Sequence, residues 1–342
     1  MKKVLLLILL CTGFISHSQI SFGPKHYGKP GKLDKEILEN FKKTTTIFVF
    51  SNVYEKDIYE NILKDSWDVT SYKIVAQQDF NPFDYQENYS FAQVGGFKSI
   101  KTTKMGSIVT RLYTYFDIFL YDFESINKKA AKLNPKKLKK KIDDIFTENK
   151  VRIARFNLFA DSDFVNTVVR KSMDEISSSL FNDDIFHNYT PGMLKNYFQK
   201  LNQLISDGEV YWMYEENDYT KEILELQSNL LYIPNYFKIK TNAFTAGESE
   251  SGDDYVKSLY DTYVYDYKFI DMDNLDDKIL KEEKIYYLRY VRLNAEKFIE
   301  IVNSRTGEVI YRNYITGLSY NIKPKHLKEL NKTISKAIKK NG

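Results

Sequence analysis

The sequence predicts an α/β fold of mixed α+β character: two related units, each helix-strand-helix-strand followed by antiparallel strands, joined by a long helix. Three observations carry this expectation. Apolar stripes of helical period alternate with short apolar runs of strand length. Two segments match each other without a gap: Asn52, Tyr54, Lys56, Asp57 and Ile58 align with Asn217, Tyr219, Lys221, Glu222 and Ile223, and Tyr72-Lys73-Ile74 aligns with Phe237-Lys238-Ile239. Tyr and Phe are abundant, 27 and 23 residues, and aromatic side chains suit a pleated surface.

Residues 1–18 have the three parts of an export signal: Lys2 and Lys3, an apolar run from Val4 to Ile15, and Ser16-His17-Ser18, which places cleavage before Gln19. The apolar run is too short for a membrane-spanning helix, which needs about 20 residues. Cys11 opens a lipoprotein alternative, but Leu10 stands where that processing needs a small residue. It is also the only cysteine of the chain, so a chain cut before Gln19 has neither a disulfide nor a thiolate nucleophile. Residues 19–32 read as a linker.

Unit one is expected over 33–160. Leu33, Ile37, Leu38 and Phe41 make a helical stripe, and Thr46 to Phe50 a buried strand. Asn52 is positioned to cap the next helix with Glu55 at its third position, placing Tyr54, Ile58 and Ile62 on one face. Two apolar strands joined by such a helix predict a βαβ crossover. Gly95-Gly96 reads as a strand-end turn or bulge. Strands are expected over Ile108–Phe123 and Val151–Phe159, interrupted by a helical insertion that Asn134 and Pro135 begin.

A connecting helix is expected over 161–189, with Asp163 to Phe181 as its body. Unit two, 190–320, starts with Thr190 as cap, Pro191 in the first turn, an inward stripe from Leu194 to Ile205, and a stop before Gly208. The matched segments then predict a strand at Val210–Tyr214, a helix from Asn217 and a strand through Phe237–Ile239. A meander follows over Lys284–Leu293, Lys297–Val302 and Glu308–Ile315, with Gly307 suited to a left-handed turn position. A C-terminal helix, 321–342, begins at Pro324.

This order of elements resembles the small α/β domains of bacterial envelope-assembly proteins, such as the amino-terminal domain of TolB and the CsgG-like proteins. It is also similar to uncharacterised exported proteins of Gram-negative bacteria. The resemblance lies in element order and implies no site residue.

Composition and motifs exclude more functions than they suggest. A formal charge of +4, of which Lys2 and Lys3 supply two, calls for neither nucleic acid nor a membrane surface as partner. His26, His187 and His326 are far apart and lack metal-ligand spacing, no Gly-x-Ser-x-Gly is present, and no cofactor motif occurs. Asp271 to Asp277 suits an acidic helix start better than a calcium loop, since Leu275 takes a ligand position and no glycine makes the turn. Two binding surfaces stand out. Lys136, Lys137, Lys139, Lys140 and Lys141 begin a helix, where their charge opposes the helix dipole, so stability did not select them. Tyr286, Arg289, Tyr290, Arg292 and Arg312 lie on the meander, where one sheet face could offer an aromatic and arginine surface. The expectation is a non-catalytic exported binding or scaffold protein, periplasmic or secreted, that engages an envelope protein or an anionic envelope surface. The alternatives are a carboxylate hydrolase acting on glycans, or a small-ligand site between the units.

Overall fold

The computed structural model describes residues 19–25, 31–102, 104, 106, 108–168, 170–242, 247–317 and 320–341. Residues 1–18, where an export signal is expected, and His26 lie outside the described residues.

Sheet one contains β1 (Ile20–Phe22), β2 (Thr45–Phe50), β3 (Ser71–Ala76), β4 (Tyr89–Thr102), β5 (Ile108–Tyr121) and β6 (Lys150–Asn157), in the order β1-β6-β5-β4-β2-β3. Helix α1 (Lys35–Lys42) leads into β2, and α2 (Lys56–Ser66) makes the right-length crossover from β2 to its parallel neighbour β3. β2 also pairs in parallel with β4, and the rest of the sheet is antiparallel. The insertion between β5 and β6 is a helix pair, α3 (Phe123–Ala130) and α4 (Pro135–Glu148).

Then come α5 (Ser162–Val168), α6 (Met173–Asn182) and α7 (Pro191–Asp207). Sheet two contains β7 (Asp218–Tyr219), β8 (Leu231–Pro234), β11 (Tyr267–Ile270), β12 (Tyr286–Leu293), β13 (Glu296–Asn303) and β14 (Val309–Thr316), in the order β11-β8-β12-β13-β14-β7. A two-stranded excursion, β9 (Ile239–Thr241) with β10 (Glu248–Glu250), and α8 (Asp253–Tyr260) separate β8 from β11. Helix α9 (Met272–Leu280) follows β11, and α10 (Pro324–Asn341) closes the chain. Among the described residues no helix is long and apolar enough to cross a membrane.

The two sheets repeat one plan. In each, the second strand of the unit runs parallel to a neighbour on both sides, and the last three strands form an antiparallel meander ending beside the first strand. β1 through β6 therefore correspond to β7, β8, β11, β12, β13 and β14. The α/β fold with two related units is the one the sequence predicts, but the ungapped match is not its register. Asn217 to Ile223 fall on β7 and a 3-10 turn (Lys221–Gln227), whereas Asn52 to Ile58 enter α2. Val210–Tyr214 is no strand; Tyr211 alone bridges to Phe22. Phe237 sits in a 3-10 turn, and the parallel partners of β8 are β11 and β12.

Four local expectations also change. The segment read as a linker contributes β1, whose three residues are all buried and pair with β6. The connecting helix is broken in two because Ser172 and Glu175 form a reciprocal capping box, which satisfies the first donors of a new helix. Asn52 is not a cap: its N–H donates to Phe181 O at 2.6 Å and its side chain to Asn182 at 2.8 Å, tying the end of β2 to α6. Gly95 and Gly96 lie inside β4, where a Cβ on Gly95 would sit 2.8 Å from the Tyr115 ring and one on Gly96 3.2 Å from Leu180. Their missing side chains let β5 and α6 close on the strand.

Helix α7 has the boundaries expected, from Thr190 and Pro191 to a left-handed Gly208 with φ 70°. It is not, however, the opening of unit two. Phe198 packs edge-on against Phe48, Phe50, Phe116 and Phe156, and Tyr197 stacks on Phe156 at 4.2 Å, so the apolar face of α7 completes the core of sheet one.

Candidate functional site

The two surfaces expected from sequence have opposite fates. Asn134 caps α4 by accepting the Lys137 N–H at 2.9 Å, Pro135 fills the first turn, and Ile145 and Phe146 bury the far end. Lys136, Lys137, Lys139, Lys140 and Lys141 are all exposed, and none is ion-paired to a carboxylate among the described residues. The meander residues are interior instead. Tyr286, Arg289, Tyr290 and Arg312 are buried and Arg292 is half-buried, because α7 covers one face of β12 while α8 and α10 cover the other. Arg289 donates from Nε and Nη2 to Glu300 Oε2 on the neighbouring strand at 2.9 and 2.7 Å, and lies 4.0 Å over the Tyr197 ring. Arg312 donates to Trp212 O at 2.6 Å and pairs with Asp218 at 3.4 Å. Tyr286 donates to Glu222 at 2.9 Å, and Tyr290 to Tyr320 O. These side chains hold the sheet together and offer no outer surface.

A concave site lies between the units, a cleft of about 470 Å³. Unit one supplies Tyr54, the connecting segment Asp161, Asp184 and His187, and α7 its first residues; unit two supplies Tyr236 and three aspartates of α9. Five carboxylates, Asp161, Asp184, Asp273, Asp276 and Asp277, line it, together with three aromatic rings from Tyr54, Phe186 and Tyr236, and no Lys or Arg among the described residues does. Asp273 and Asp277 stand one helical turn apart, with Asp276 between them toward the buried side.

Asp276 is the one carboxylate of the five that is buried. Its Oδ1 accepts the Thr190 hydroxyl at 2.7 Å and the Gly192 N–H at 3.1 Å, so a residue of unit two serves the open donors at the start of α7. A Cβ at position 192 would come within 2.6 Å of that oxygen, which is why glycine follows Pro191. Burial pushes the Asp276 carboxyl up to about 7, against the two hydrogen bonds and with the help of Asp273 and Asp277. Burial likewise raises the Tyr54 hydroxyl, with Asp184 and Asp276 adding to it, and lowers the His187 imidazole against the pull of Glu248 and Asp161.

His187 stacks on Tyr236 at 5.5 Å and 13° and touches Phe159 at 4.8 Å. These rings separate the cleft from an inner cavity of about 30 Å³, walled in part by Tyr290 and Arg292. Arg292 lies 4.7 Å over Tyr320 and 5.2 Å over Phe159. The cavity is on the scale of one water molecule, and Tyr290 and Arg292 line it and not the cleft. Among the described residues no group of three or more His, Cys, Asp and Glu is placed to hold a metal ion.

No protein-family model, curated protein or solved structure matches this chain. The site therefore has to be read from its own chemistry. Sequence alone does not assemble it, because its residues come from five separate stretches. The one visible signal is the Asp271–Asp277 run. Asp271 does cap α9, accepting the Asn274 N–H at 2.9 Å, while the later aspartates turn to the cleft.

The Asp276 carboxyl rises from 3.8 to about 7 on folding, so its protonated form stabilises the fold below about pH 4, and that contribution is lost as pH rises through about 7. Urea unfolding across that range should show Asp276→Asn with a flatter dependence of stability on pH than the wild type. An unchanged slope would mean that Asp276 does not carry the proton.

Proposed function

We propose that this chain is a non-catalytic, exported binding protein, and that the cleft between its two units holds a small cationic organic ligand. The observation that carries this reading is the lining of the cleft: five carboxylates and aromatic rings without one Lys or Arg among the described residues. Carboxylates in a partly enclosed cleft focus a negative potential, and ring faces attract ammonium and guanidinium groups. The volume of about 470 Å³ is that of a small-molecule site.

A glycan hydrolase would need one carboxyl as a free general acid beside a second, ionised one. Asp276, raised to about 7, is the only candidate among the cleft carboxylates for the acid, but its Oδ1 is already engaged by Thr190 and Gly192 at the start of α7. That engagement favours a binding and architectural role. Export rests on the charged, apolar and small-residue segments of 1–18.

Titration calorimetry with putrescine, a short diamine, tests the cleft. Binding should weaken with added salt, strengthen as pH rises through about 7, and fall by about tenfold or more in an Asp273→Asn/Asp277→Asn variant. Release of sugar from envelope glycans by the wild type, lost in Asp276→Asn, would establish the hydrolase instead.

The exposed lysines of α4 favour a second contact, with an anionic envelope surface, because no carboxylate among the described residues pairs with them. Sedimentation with vesicles containing phosphatidylglycerol should carry the protein down at low salt. Changing all five lysines to Gln should leave it in solution, and equal sedimentation of the two proteins would remove that role.

A further inference from the structure

Gln19 is the first described residue, and it lies deep between the two sheets instead of trailing into solvent. It is fully buried. Its main-chain N–H donates to Glu300 Oε1 on β13, its side-chain Oε1 accepts the Tyr197 hydroxyl of α7 at 2.6 Å, and its carbonyl accepts the Asn157 N–H at 3.3 Å. One atom is left over. The side-chain Nε2 is buried and has no hydrogen-bond partner among the described residues, an arrangement that folded proteins generally avoid.

Cleavage before Gln19 would place a new α-amine at this spot. A free α-ammonium fits it poorly. Glu300 carries one negative charge, and both Nε and Nη2 of buried Arg289 already donate to its Oε2. A second cation would leave a net positive charge in the interior, which is costly to bury without a partner. It would also bring three donors to a place where one acceptor, Glu300 Oε1, is aimed at the nitrogen.

We propose that Gln19, released as the mature N-terminus, closes to a pyroglutamyl ring, and that this ring is what Glu300 and Tyr197 hold. The inference rests on the export reading and its cleavage point. In the closure the α-amine nitrogen attacks the side-chain Cδ, a Cδ–N bond forms, and the Cδ–Nε2 bond breaks. Nε2 takes a proton from the attacking amine and leaves as ammonia, and nothing is oxidised or reduced. The product keeps both partners. The lactam N–H donates to Glu300, its carbonyl accepts from Tyr197, and the orphan Nε2 is gone. A lactam presents its N–H and C=O on the same side, and the two partners are neighbours, since the Arg289 guanidinium that pairs with Glu300 also lies 4.0 Å over the Tyr197 ring. The buried charge that remains is the balanced Arg289–Glu300 pair.

Mass spectrometry of the N-terminal peptide, from protein exported to the periplasm of a Gram-negative host, tests this directly. The expected peptide starts at residue 19, is one ammonia lighter than its Gln form, and resists amine labelling. A peptide that starts at Gln19 but labels as a free amine overturns the ring and leaves the cleavage point standing. A different first residue overturns both. As a second readout, exported Gln19→Glu keeps the side-chain oxygen acceptor but cyclises far more slowly, so its Tm should fall by several degrees. A Tm equal to that of the wild type would contradict the seat.

Discussion

The way the units join depends on burying the first part of helix α7: Gly192 to Phe198, Lys200 and Leu201 are buried, and the exposed residues, Gln203, Ser206 and Asp207, come only toward its end. A helix that meets solvent on one side can keep polar residues there, but a stretch buried all round must find each of them a partner. Lys195, Asn196 and Lys200 are such residues, each almost wholly enclosed. Lys195 reaches Asp65 of unit one at 3.4 Å and Glu282 of unit two at 3.1 Å. Asn196 donates to Ser304 O at 2.7 Å and accepts the Tyr287 hydroxyl at 3.0 Å, and Lys200 pairs with Glu308. The apolar face thus completes sheet one, and the polar face is satisfied by unit two. A Cβ on Gly307 would lie 2.4 Å from Asn196 O, a measure of how closely the β13–β14 turn approaches the helix.

The cleft follows from the same constraint. The first turn of α7 leaves donors without intrahelical partners, and Asp276 of α9 meets them. This brings the acidic face of α9 against Tyr54 of unit one and Asp184 and His187 of the connecting segment. The negative lining is therefore a product of how the units join. The row Arg289, Glu300 and Arg312, facing each other across β12, β13 and β14, follows a similar logic: charges too far inside to be solvated are placed opposite one another on adjacent strands. Gln19 enters this row from the first strand of the other sheet.

The sequence reading succeeded where local chemistry decides structure. The β12–β14 meander, the cap and stop of α7, and the crossover through α2 were all legible in turn residues and apolar period. The duplication was legible as well, yet its register was not. The matched residues around Asn52 and Asn217 take different positions in their units, and the true correspondence runs through strands of unequal length and insertions that shift the spacing. Tyr286, Arg289 and Arg312 looked like surface because Arg and Tyr on a strand commonly are; they are interior because sheet two is covered on both faces, which no strand pattern announces. A small-ligand site between the units was among the alternatives, but its lining was not legible: Asp161, Asp184 and Asp276 acquire their meaning only when the ends of α5 and α6 meet α9.

If α7 welds the two units, neither can open without it. Hydrogen exchange of the α7 backbone amides from Leu194 to Ile205, followed under native conditions, measures this most directly. These amides should exchange only through global unfolding, with the same opening free energy as the central strands β5 and β13. Exchange of α7 in a smaller opening that also frees β12 to β14, while β2, β5 and β6 stay protected, would show two units that merely touch.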